Sequence, residues 1–283
     1  MNKLNKKFII FLGILFLPIV SCTDQLELEP ISSISEATYW KTENDATGVL
    51  YGMYDLLRAL AEDNSLLYWG DGRSEVMGLS FGAAGINLYF DNLLSANDAG
   101  AGWQGLYAVG HHANLLIKYA PEIDFSNEQD KNRVLAEAYT MRAFVYYWLV
   151  RLWGETIIVT EPTEDFSPSA IQKERSPESE VFELIKSDLQ RALELFPDNS
   201  IPEGRFNWSI PAMQTLKADV FLWTAKVMGG GAEDLTVALN ALEDAEGADA
   251  ELLDDYESVF NYDNKGNKEI LFSIRFNQIE SEA

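Results

Sequence analysis

The chain is nearly devoid of cysteine and histidine. Cys22 is the only thiol, and His111 and His112 are the only imidazoles. A single cysteine excludes an internal disulfide framework and zinc sites of the Cys/His type. Adjacent residues on a helix do not share a face, so the histidines make a poor bidentate metal pair. No metal centre and no cofactor is expected, although carboxylate-only calcium sites stay open. Basic residues are also scarce. Twenty-one Lys and Arg stand against 45 Asp and Glu, a formal charge of −24, and no basic stripe follows Lys7. Phosphate backbones are bound through clustered Lys and Arg, so nucleic acid is not an expected partner. The apolar run from Phe8 to Val20 is thirteen residues long, too short to span a bilayer comfortably as a helix.

That run has the form of an export signal. Lys3, Lys6 and Lys7 precede it, and Ile19-Val20-Ser21-Cys22 follows it. An aliphatic residue at −3, a small one at −1 and then cysteine resemble a bacterial lipobox. The pattern implies cleavage before Cys22 and lipid attachment to its sulfur and new amino group. Several acyl chains on one residue hold a protein firmly at a membrane surface. Residues 1–21 therefore read as a lipoprotein signal peptide. Residues 22–38, acidic and containing Pro30, read as a tether to a helical domain over 39–283.

From residue 42 onward helical spacing dominates. Ala46, Val49, Leu50, Met53, Leu56, Leu57 and Leu60 recur at intervals of three and four, with Thr42 as cap and Asp45 three residues on. A second helix runs from Trp103. The strongest opens on an expected Ser126/Gln129 capping box, carries apolar residues on more than one side and ends at Gly154. "TIIVTEP" follows as a short extended piece. Further helices are predicted from Ser176-Pro177, from about Pro211, and over Leu235 to Ala245, with a break at Gly229 to Gly231. The starts near 177 and 211 approximate a tetratricopeptide period. Residues 65–102 lack a stable period and read as long loops with one short helix. Near the end, Asn264-Lys265-Gly266-Asn267 is a turn signal, and Ile270, Phe272, Ile274 and Phe276 alternate like a half-buried strand.

Several stretches, in order along the chain, resemble the SusD/RagB family of outer-membrane lipoproteins. They include "ATYWKTENDATGVLYGMYDLL", "WGDGRSEVM", "WQGLYAVGHHANLLI", "AEAYTMRAFVYYWLVRLWGETIIVTEP", "RSPESEVFELIKSDLQRALELFP" and "KEILFSIRF". The resemblance implies a mainly α fold of degenerate tetratricopeptide-like helix pairs. It implies anchoring to the outer membrane, facing the cell exterior, and a SusC-like TonB-dependent transporter barrel as partner. It implies non-catalytic capture of glycans, or in some members peptides, for import. The alternative is a scaffold that docks the transporter with a vestigial or peptide-binding site. Family members are close to twice this length, which implies a domain incomplete at its C-terminal end.

Other chemistry fares less well. Gly78-Leu79-Ser80-Phe81-Gly82 matches G-x-S-x-G, but its flanks are loop-like where a nucleophile elbow needs a strand and a helix. "NYDNKGNKE" would place Lys265 and Phe272 at calcium-ligand positions, so it reads as a turn. Among seven tryptophans, Trp148 and Trp223 sit on apolar helix stripes and are expected in the core, as is Trp103. Trp69 precedes Asp71, Arg73 and Glu75 in a loop, an aromatic platform beside hydrogen-bonding groups that suits a sugar ring. Tyr89, Phe90 and Asn92 form a second such set. The competing reading is that Asp71 and Arg73 merely brace the loop as an ion pair.

Overall fold

In chain order the α-helices are α1 (Glu43–Glu62), α2 (Ser65–Trp69), α3 (Asn87–Phe90), α4 (Gln104–Tyr119), α5 (Glu128–Trp153), α6 (Pro168–Ile171), α7 (Glu178–Leu195), α8 (Ile210–Val227), α9 (Gly231–Glu246) and α10 (Tyr256–Val259). The structure is a computed structural model that describes residues 39–74, 76, 87–95, 102–165 and 167–276. The signal segment, Cys22, the tether and the Gly78–Gly82 loop lie outside the described residues. Among those residues no helix is long and apolar enough to cross a membrane.

The fold is mainly α. Long helices pack on their neighbours: α1 on α4, α4 on α5, α5 on α7, and α8 on α9, with α8 also touching α7 and α5. This serial stacking is how tetratricopeptide-like pairs bury their apolar stripes. In α1 the buried residues are Ala46, Leu50, Met53, Leu57 and Leu60, while Val49 and Leu56 of the predicted stripe are partly buried beside them. Its cap is also as predicted: the Thr42 N–H and Oγ1 donate to Asp45 Oδ2 at 2.7 and 2.8 Å. Central α5 is buried on several sides, from Val134 to Val150. It ends at Gly154, whose φ of 69° lies in the left-handed region that glycine adopts without penalty.

Three expectations are corrected. Asn127, not Ser126, caps α5 by accepting from Gln129 N–H at 3.0 Å. Ser126 instead donates its N–H and Oγ–H to Glu43 Oε2, both at 2.9 Å, and so ties the start of α5 to α1. Similarly, Pro177 is the N-cap of α7. Ser176 is used in an isolated antiparallel bridge with Thr156, whose N–H···O distances are 2.7 and 3.3 Å. Finally, the terminal strand forms no ladder among the described residues. Residues 272–276 run without a sheet partner, and a lone strand is not stable as such. Packing holds the segment instead: Phe272 stacks on Trp208 with centroids 4.1 Å apart.

Arg205 secures this segment. Its Nη1 donates to Ile270 O at 2.9 Å and its Nη2 to Asp249 O at 2.7 Å, while its own carbonyl accepts from Ser273 N–H at 2.8 Å. The neighbouring Gly204 and Gly266 approach so closely that a Cβ on Gly266 would lie 3.0 Å from Gly204 Cα.

The deepest polar contact joins α4, α5 and α7. Arg142 donates from Nε and Nη2 to the two oxygens of Asp188 at 2.8 and 2.7 Å, and from Nη1 to Asn114 Oδ1 at 2.9 Å and Thr160 O at 3.2 Å. Burial opposes the guanidinium's charge, but the Asp188 carboxylate outweighs it and raises the Arg142 pKa. Around this pair the extended segment 156–161 takes its hydrogen bonds from side chains. Tyr146 Oη accepts from Val159 N–H at 2.6 Å, Tyr107 Oη accepts from Ile157 N–H at 3.0 Å, and Asn114 Nδ2 donates to Val159 O at 2.8 Å. Every one of those side chains lies on α4 or α5, so the segment is strapped to the helix pair.

Removing one member of a buried pair strands the other charge, which costs about 3–5 kcal/mol. Asp188→Ala is expected to lose that much stability in urea unfolding. Arg191→Ala, which breaks the exposed Arg191–Glu194 pair, is expected to change stability by less than about 0.5 kcal/mol.

Candidate functional site

The loop residues singled out by sequence divide into two layers. Trp69 ends α2 and is only 6% exposed. Its ring lies edge-on to Trp153 at 5.4 Å and tilted to Trp148 at 6.5 Å. Tyr89, 7% exposed, stacks on Tyr68 with centroids 5.0 Å apart. Neither ring presents an open platform, which corrects that part of the expectation. The last turns of α5 supply the indoles that cover Trp69, a long-range partnership invisible in local spacing. Conversely, Trp103, Trp148 and Trp223, expected in the core, are partly buried and packed against it.

Above these rings sits a polar layer. Asp71 and Arg73 lie in a 3₁₀ turn, and Asn92 follows α3 with a φ of 53°, a left-handed conformation that Asn tolerates. Arg73 Nε donates to Asn92 Oδ1 at 3.0 Å, and Asn92 Nδ2 returns a bond to Arg73 O at 3.2 Å. Asp71, Arg73 and Asn92 are exposed and Phe90 is half-buried. Among the described residues Arg73 is braced by Asn92 rather than by an ion pair with Asp71. The reciprocal bond joins two loop pieces nineteen residues apart. It leaves the Asp71 carboxylate and the remaining guanidinium donors facing solvent, a set able to hydrogen-bond hydroxyl groups.

Sequence reasoning missed a second concave surface. A cleft of about 470 Å³ separates α1 from the terminal segment, with Tyr51, Tyr54, Phe206, Phe272 and Ile274 in its walls. A larger one of about 810 Å³ shares Phe206 and Ile274 and adds Phe260, Tyr262 and Phe276. A signal existed. Tyr51 stands off the apolar stripe of α1 and is 60% exposed.

Behind the first cleft lies a buried carboxylate. Tyr54 Oη donates to Glu137 Oε2 at 2.6 Å and accepts from Trp208 N–H at 2.8 Å, while Asn207 Nδ2 donates to the same carboxylate oxygen at 3.1 Å. Burial raises the Glu137 pKa to about 7, against the opposing effect of those donors. Burial and the neighbouring carboxylate push the Tyr54 hydroxyl well above its ordinary value. The histidines do not converge on a ligand. The His112 ring lies 3.1 Å from Ala108 O within its own helix, and His111 accepts from Thr163 N–H at 3.4 Å.

Comparison with known proteins supplies context for this geometry. Residues 84–214 match a SusD-like family model described as starch-binding and associating with the outer membrane. SusD-like protein P38 of Formosa agariphila is 32% identical over 227 residues, which cover 79% of this chain and 43% of that protein. The solved structure of B. fragilis NanU superposes with a TM-score of 0.79 at 34% identity, over 89% of this chain and 51% of that one. Another solved structure, determined with a xylogluco-oligosaccharide, superposes with a TM-score of 0.66 at 25% identity over 82% of this chain and 46% of its own. The chain thus spans about half the length of the proteins it matches.

The buried carboxylate has a measurable signature. Its folded pKa of about 7 lies above the ordinary 4.5, so the folded state holds a proton that the unfolded state releases. The stability this provides is complete below pH 4.5 and is lost as pH rises through 7. It amounts to roughly 3 kcal/mol over that window. Urea unfolding at pH 5 and pH 7.5 is expected to show wild type losing about 2–3 kcal/mol more than Glu137→Gln. An identical pH response of the two proteins contradicts the assignment.

Proposed function

The chain belongs to the SusD/RagB family, and on that premise we propose that it is a non-catalytic surface lipoprotein that captures oligosaccharides. It hands them to a TonB-dependent transporter barrel in the outer membrane. The observation that carries the reading is the fold it shares with a protein solved with a xylogluco-oligosaccharide. The family description as starch-binding and outer-membrane-associating agrees with it.

In this reading Asp71, Arg73 and Asn92 contact sugar hydroxyls, and the half-buried Phe90 offers a ring face to apolar C–H groups. Trp69 and Tyr89 act from below by holding the loop pieces in place. The braced Arg73–Asn92 pair favours capture, because donors already fixed lose less conformational freedom on binding. Cys22 carries the lipid that keeps the protein at the membrane.

Isothermal titration of the full chain against a panel of oligosaccharides and peptides tests the site. Binding of at least one oligosaccharide is expected, weakened about tenfold by Arg73→Ala, in line with loss of a charge-assisted hydrogen bond worth 1.5–3 kcal/mol. Absence of heat across the whole panel, with the transporter still retained in a pull-down, would leave the docking scaffold as the function. Mass spectrometry of membrane-extracted protein is expected to find Cys22 as the lipid-modified first residue. An unmodified Cys22 within an intact N-terminus defeats the anchoring claim.

A further inference from the structure

A crevice runs between α4 and the extended segment that follows α5. Its two hollows, about 190 and 80 Å³ in volume, share Tyr107, Val159 and Thr163. Trp103, Ile157 and Ile171 give the larger hollow an apolar wall, and Lys173 adds a cation to its lining. Drug-sized ligands occupy roughly 300–1,000 Å³, so the crevice admits a single ring rather than a chain of rings. Its charge runs against that of the whole chain. The sequence holds 45 acids and 21 bases, yet among the described residues no Asp or Glu lines either hollow. Glu164, on the same side of α4, is already taken by Lys118 and the Tyr119 hydroxyl.

Beside the crevice stand two exposed cations. Arg175 lies over the Trp103 ring, 4.8 Å from its centroid, and gives one long bond of 3.4 Å to Glu155 O. Neither Arg175 nor Lys173 forms an ion pair among the described residues, not even with the exposed Glu174 between them. Both are held at this place. The bridge from Thr156 to Ser176 pins the backbone next to Arg175, and the indole face positions its guanidinium while leaving donors of the planar fork open. Repulsion by distant acids is screened beyond about 8 Å at physiological salt, so these nearby cations decide whether an anion enters. The crevice also continues the loop site. Trp103 packs on Trp153 at 6.1 Å, and Trp153 is one of the rings that cover Trp69 under the Asp71–Arg73 turn.

We propose that this crevice is a subsite for a sugar ring bearing a carboxylate, so that the chain selects acidic oligosaccharides over neutral ones. Arg175 and Lys173 bind the carboxylate, the exposed Thr163 meets a ring hydroxyl, and Ile157, Val159 and Ile171 receive the apolar face of the ring. An inorganic anion would leave the apolar wall unused, and a neutral ring would leave both cations unused. The inference rests on the oligosaccharide reading and names its substrate class.

Isothermal titration of the full chain with matched pairs tests it: xylo-oligosaccharides with and without a glucuronate branch, and galacturonate oligomers with and without methyl esters. In at least one pair the acid is expected to bind about tenfold tighter than its neutral partner, the size of one charge-assisted hydrogen bond. Arg175→Gln and Lys173→Gln are each expected to erase most of that preference, with thermal unfolding unchanged because both positions are exposed. Arg73→Ala is expected to weaken acid and neutral ligands alike and to keep their ratio. Saccharide binding with no preference for the acid in any pair overturns the subsite and leaves the oligosaccharide reading standing, whereas no binding of any saccharide overturns both. A preference that survives Arg175→Gln and Lys173→Gln but vanishes in Arg73→Ala puts the carboxylate at the loop and overturns the proposal. Equal competition by inorganic phosphate, or by a Glu-rich peptide, makes the crevice a general anion site and overturns the sugar assignment.

Discussion

The bidentate contact between Arg142 and Asp188 organises the rest of the molecule. An ion pair this deep costs desolvation on both sides, and it is tolerable only when the remaining donors are satisfied. Here Nη1 reaches both Asn114 Oδ1 and Thr160 O while Nε and Nη2 hold the carboxylate. A planar guanidinium grips both carboxylate oxygens while serving an amide and a carbonyl, a bidentate fork that lysine lacks. Apolar replacements of buried pairs are often neutral or stabilising, which argues that the contribution here is one of position. The pair sets α4, α5 and α7 in register and fixes where the chain leaving α5 must run.

From that anchor the order spreads by side chains rather than by a sheet. The segment 156–161 has backbone groups that would otherwise be stranded in a helical protein. Tyr107, Asn114, Arg142 and Tyr146 satisfy them, and Thr156 closes the arrangement by its bridge to Ser176 at the entrance of α7. The same helix that carries Arg142 ends in Trp148 and Trp153, which enclose Trp69. The loop that bears Asp71 and Arg73 is thereby fixed to the most constrained element of the fold.

Helices were legible because their information is local. The α1 stripe and its Thr42/Asp45 cap follow from residues within one or two turns of each other. Caps failed by one residue at Ser126 and Ser176, where a long-range partner took the residue first: Glu43 the N–H and hydroxyl of Ser126, Thr156 the backbone of Ser176. The tryptophans failed for a related reason. Trp69 reads as a loop residue because its neighbours are Gly70 and Asp71, yet its burial is supplied some eighty residues away. Of the loop set, the structure brings Arg73 and Asn92 into direct contact. The groove lined by Tyr51 and Phe206 was not legible, since its walls come from both ends of the domain. Its one local trace was a tyrosine on the wrong side of an amphipathic helix.

The buried Glu137 explains why that groove is firm despite its exposed rings. Tyr54 and Asn207 converge on one carboxylate oxygen, and Trp208 N–H closes onto Tyr54. These bonds join α1, α5 and the turn before α8 at the back of the cleft. Trp208 in turn stacks face to face on Phe272 with an interplanar angle of 6°. The position of the terminal segment is therefore transmitted through one ring from a hydrogen-bonded network in the core, and from the opposite side by Arg205. A surface fixed from behind in this way pays little ordering entropy when a partner arrives.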